Sequence, residues 1–123
     1  MLFRSKLGVV KLEGERAAAF EKTKREYREF LTSFPDQVRN RIDLGTYEAL
    51  HGRYNEALAN YRAAEKLNPA SLEARYYIGV ASASLERWND ALASFRSVLR
   101  EDPSYRNTRE LAARVEQILG RRN

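Results

Sequence analysis

Residues able to do acid–base or covalent chemistry are few in this sequence, and their spacing does not suit it. His51 is the single histidine among 123 residues and cysteine is absent, which removes disulfides, thiolate metal ligands and a cysteine nucleophile. His51 stands before Gly52 with no second histidine and no acid at metal-ligand spacing, so it reads as a surface residue at a helix end, meeting the last carbonyls. Catalysis needs a nucleophile, a base and a stabiliser brought together, and there is no GxxxxGK loop, HExxH helix or nucleophile elbow. The expectation is a non-catalytic chain without cofactor or metal. What remains is recognition chemistry. Tyr76 and Tyr77 are adjacent; neighbouring aromatics on a helix cannot both enter one core, so one is expected at the surface as an amphipathic anchor for a partner, the alternative being that Tyr76 covers a neighbouring repeat.

Charge narrows the partner. Lys and Arg number 22 against 17 Asp and Glu, a net charge of +5. Residues 1–35 hold eight bases and five acids, residues 36–105 nine and ten, and residues 106–123 five and two. The excess lies at the ends, whereas a nucleic-acid binder concentrates it in a stripe; nucleic-acid binding by the basic termini is the weakest alternative. The run EKTKREYRE at 21–29 reads as a solvated helix face with Glu21/Arg25, Lys22/Glu26 and Arg25/Glu29 pairs. The first fourteen residues lack an apolar run long enough for a signal peptide or a membrane span. With Met1 as the native start, a cytoplasmic location is expected.

The elements that must position these residues repeat. RYNEALANY at 53–61 returns as RWNDALASF at 87–95, an offset of 34 residues. Leu44-Gly45 is answered by Ile78-Gly79 and Pro69 by Pro103 at the same offset, and Pro35 precedes Pro69 by 34. A fixed period in this range marks a solenoid, in which one supersecondary unit stacks on the next. Each unit reads as two helices: Ile42, Leu44, Tyr47 and Leu50 at helical spacing, a stop at Gly52, then Tyr54, Ala57, Leu58, Tyr61 and Ala64. Small Gly45/Gly79 and Ala57/Ala91 allow the two helices to approach, and Tyr61 and Phe95 fill the space one turn on.

This pattern resembles the tetratricopeptide repeat (TPR) family, with Leu-Gly in the first helix, Ala-x-x-x-aromatic in the second and a closing proline at a 34-residue period. The sequence departs from it at the family's Trp (Arg41, Arg75), its first-helix Tyr (Glu48, Ser82) and a late Ala (Val98). The resemblance implies an all-α right-handed helical solenoid of antiparallel helix pairs. The expected divisions are 1–12, extended or disordered; 13–35, the long helix of a degenerate N-terminal repeat; 36–71 and 72–105, two TPR units; and 106–123, a C-terminal capping helix and tail. Leu111, Ala112, Val115, Ile118 and Leu119 form the inner stripe of that capping helix, and Gly120 is expected to end it.

First helices of TPR units line a concave groove, so the resemblance implies a protein–protein interaction module that receives an extended or helical segment of a partner. Arg39, Asp43, Thr46, Tyr76, Tyr77, Val80 and Arg114 are the expected groove residues. The chaperone-type carboxylate clamp of some family members maps to Ile42, Thr46, Tyr77, Asn107 and Leu111, which supply no lysine, so no clamp is expected. Phe20, Tyr27, Phe30 and Phe34 are expected to pack on the first unit, or to form a second interface where the preceding repeat is incomplete. Self-association through such incomplete ends, giving a homo-oligomeric scaffold, is the alternative.

Overall fold

The structure, a computed structural model, describes residues 21–26, 29, 33–34 and 37–122. Residues 21–26 are helical. Five helices follow: α1 (Val38–Leu50), α2 (Tyr54–Leu67), α3 (Leu72–Ser84), α4 (Trp88–Glu101) and α5 (Thr108–Arg122). Among the described residues there is no strand. The main contacts run between successive helices, α1 with α2, α2 with α3, α3 with α4 and α4 with α5. Packing of each element on its sequence neighbours is what makes a solenoid.

The turns repeat as faithfully as the helices. The Asn68 side chain accepts from the Ala70 amide at 3.1 Å, and Asp102, 34 residues on, accepts from the Ser104 amide at 3.0 Å; both are Asx turns that redirect the chain around a proline. The Ser71 hydroxyl caps α3 by accepting from the Ala74 amide at 3.1 Å. Arginine stands where the family has tryptophan, and it is used as a clasp. Arg75 donates to the Pro69 carbonyl at 2.6 Å and to Ser97 Oγ at 3.1 Å, and Arg109 donates to the Pro103 carbonyl at 3.1 Å.

Close approach explains the repeated glycines. A Cβ on Gly45 would come within 2.6 Å of the Tyr61 ring, and one on Gly79 within 2.5 Å of the Phe95 ring. Both rings are fully buried and have nowhere to retreat. The core runs unbroken from Ile42, Ala57 and Tyr61 through Ala81, Ala91 and Phe95 to Leu111 and Val115.

Several expectations are corrected. Gly120 does not end α5, which continues to Arg122; the amphipathic stripe carries the helix past it. The charged run at 21–29 is not uniformly solvated. Lys22 pairs with Glu26 at 4.0 Å as expected, but Lys24 is 5% exposed and lies 3.6 Å from Glu48. Segment 1–12, most of 13–35, and Phe20, Tyr27 and Phe30 lie outside the described residues.

Candidate functional site

The first-helix residues α1 contributes are polar. Arg39 is satisfied by two carboxylates. Its Nε donates to Asp43 at 3.1 Å, and its two terminal nitrogens donate to Glu73 on α3 at 2.8 and 3.1 Å, a bidentate pair across the repeat boundary. The hydrogen bond to Glu73 raises the Arg39 guanidinium still further above its ordinary range. One turn on from Asp43, Thr46 Oγ1 lies 3.0 Å from the Tyr61 hydroxyl of α2.

From α3 come the two tyrosines, and neither stands free. Tyr77 stacks on Tyr61 with centroids 5.1 Å apart, while Tyr76 leans the other way, edge-on to Tyr105 at 5.8 Å and donating to Asn107 Oδ1. Both are half-buried. Neither ring is a fully exposed anchor: Tyr76 covers the element that follows, which was the alternative for it, because α3 has a neighbour on each side and each ring finds an aromatic there. Burial pushes the Tyr61 hydroxyl strongly up and also raises Tyr76 and Tyr105, with the Arg106 charge opposing the rise at the latter two.

The element before α5 completes the cluster. Arg106 donates to the Tyr77 hydroxyl at 3.1 Å, approaches Glu73 at 3.6 Å and lies over three tyrosine rings. Sequence reasoning missed Arg106 and Tyr105, since both lie in the turn between helices where periodicity gives no direction. Frame arithmetic held a clue: Arg106 is 34 residues after Leu72, where an aliphatic residue was due. Arg114 is half-buried and donates to Glu110 at 2.9 Å, one turn back on α5.

Val80 is not part of this surface. It is 2% exposed and belongs to the core; α3 is flanked before and after, and a valine is too short to reach solvent from between its neighbours. Ile42 and Leu111 are also buried, at 2% and 0%. Phe34 is 47% exposed, so this one member of the N-terminal aromatic group does not pack into the core. His51 is half-buried, with Nδ1 2.9 Å from the Tyr47 carbonyl as expected of a helix end and Nε2 3.0 Å from Glu21. No helix among the described residues is long and apolar enough to cross a membrane.

Repeated helix pairs, Asx turns and a polar–aromatic face shared by consecutive first helices define a helical-repeat solenoid. Its repeats have a family. The tetratricopeptide repeat model matches residues 42–106, and the chain belongs to that family. No curated protein matches it. Among solved structures, it is similar to the second TPR domain of the human RPAP3 protein, determined by NMR in complex with the HSP70 peptide SGPTIEEVD. The likeness has a TM-score of 0.73 at 17% identity and covers 82% of this chain and 84% of that one, which establishes the shared fold.

Proposed function

We propose that this chain is a non-catalytic protein–protein interaction module, and that the face built from α1, α3 and the start of α5 receives a segment of a partner protein. The observation that carries the reading is the convergence of Arg39, Asp43, Glu73, Tyr76, Tyr77 and Arg106, from three consecutive units, on one connected cluster. Half-buried tyrosines beside exposed arginines are the residue types that anchor interfaces. A domain of the same fold, at low identity, holds a peptide, which supports the same use here. Because Ile42 and Leu111 are buried and apolar at clamp positions, the partner segment is not gripped by its terminal carboxylate. Arginines matched one for one by Asp43 and Glu73 also argue against a phosphate backbone as ligand.

The test is affinity capture from the source lysate with wild type beside Arg39→Ala/Asp43→Ala, checked by circular dichroism for retained helix. Proteins held by wild type and lost from the variant are the expected result. Equal recovery by both sinks the assignment of this face. Self-association is a second reading, favoured by exposed Phe34 at the N-terminal end, and a concentration-dependent mass in sedimentation would mark it.

A further inference from the structure

Arg106 breaks a pattern that the two repeats keep. Val38 and Leu72 hold its place in the two repeats; both are aliphatic, and each begins its helix. At 106 the residue is arginine, and α5 begins two residues later at Thr108. Its backbone is left-handed, with φ 43°, a conformation that costs an L-residue free energy. That bend brings the guanidinium carbon to 5.2, 5.4 and 5.2 Å from the ring centroids of Tyr76, Tyr77 and Tyr105. Tyr76 meets Tyr77 at 73° and Tyr105 at 77°, so the rings stand as walls rather than as one stack. Faces of aromatic rings attract a cation, and a planar guanidinium suits them better than a lysine ammonium.

The counter-charges fit the same ligand. Without Arg106, Asp43 and Glu73 would face Arg39 alone, leaving the rim one negative charge in excess. A ligand carboxylate would instead have to displace Asp43 or Glu73 from Arg39, whose Nε and both terminal nitrogens are already engaged. The seat is also reachable, since the Arg106 side chain is 40% exposed.

We propose that Tyr76, Tyr77 and Tyr105 form a cage for an arginine side chain of the partner segment, and that Arg106 fills this cage in the free protein and leaves it on binding. The inference rests on the reading that this face receives a partner. An incoming guanidinium makes the contacts that Arg106 gives up, so the exchange trades like for like at the rings. What favours it is release of the left-handed backbone at 106 and the incoming segment's contacts elsewhere on the face.

The experiment empties the cage. Arg106→Gly and Arg106→Asn both suit the left-handed backbone and are titrated with N-acetyl-arginine N-methylamide while tyrosine ring resonances are followed by NMR. Saturable shifts of Tyr76, Tyr77 and Tyr105 are expected in both variants, with binding about tenfold or more weaker in wild type, where the tethered Arg106 competes. Adding Tyr77→Leu should abolish the shifts, and N-acetyl-glutamate N-methylamide should produce none. Folded variants without saturable shifts, or equal binding of the glutamate probe, would overturn the proposal. If both variants lose their helical signal, wild type decides: excess arginine probe should move the ring-shifted Arg106 side-chain protons toward free values, and their constancy would overturn it as well. Probe uptake with no protein captured from lysate would keep the cage and sink the interaction reading; captured protein with no probe uptake would do the reverse.

Discussion

Gly52 and Glu86 occupy the same place in the two repeats and share a left-handed backbone, with φ of 75° and 61°. For glycine this conformation is free of Cβ strain; for glutamate it costs about 1–2 kcal/mol. Glu86→Gly should therefore stabilise the protein by about 1 kcal/mol after the glycine's extra unfolded-state entropy is subtracted. Urea unfolding monitored at Trp88 reads this directly; a midpoint that stays or falls would mean the Glu86 side chain makes a compensating contact. Gly52 was legible in the sequence as a helix stop. Glu86 was not, because glutamate's intrinsic preference is helical and only alignment to Gly52 marks it as the end of a helix. Val80 failed for a different reason: helical spacing tells which way a side chain points, not whether the neighbouring repeat has closed over it.

At the scale of elements, the stretch at 21–26 is joined to α1 by charge. Lys24 and Glu48 are 7% and 4% exposed at the side chain and 3.6 Å apart, with Arg53 a further 3.7 Å from the same carboxylate. Removing one partner of a buried pair strands the other, at about 3–5 kcal/mol, whereas replacing both with apolar residues of similar size is often neutral. Glu48→Leu alone should destabilise by about that amount, and Lys24→Met/Glu48→Leu should recover most of the loss. A double-mutant cycle by thermal unfolding measures it, and a single-variant cost below about 0.5 kcal/mol would show a pair as weak as those at protein surfaces. The helix pairs themselves were readable from apolar spacing and punctuation by Gly52, Pro69 and Pro103. The link to 21–26 was not. Lys24 read as one member of a solvated charged helix face, and Glu48 read merely as a departure from the family's tyrosine; nothing local shows that the two answer each other.

Across the whole molecule, the tyrosines tie stability to alkaline pH. Burial raises Tyr61, Tyr76 and Tyr105 above the ordinary value near 10, so above about pH 10 the unfolded chain releases protons that the folded chain retains. Their contribution is complete below that pH and is lost as pH rises toward the raised values. The melting temperature should fall above about pH 10, and ultraviolet titration of the folded protein should show tyrosines ionising in more than one step. A single step near pH 10 in the folded state would refute the burial of these hydroxyls. The overall architecture was legible because its period is written many times; the cage around Arg106 is written once, in a turn, and so had no second copy to reveal it. The Arg75–Pro69 and Arg109–Pro103 clasps carry a consequence for inheritance. Each spans six residues across the joint between blocks, so a gene that gains or loses one whole 34-residue block recreates every joint it cuts. A gain or loss of another length that cuts between the proline and its arginine leaves that arginine without its carbonyl. The molecule can thus change length by whole rungs.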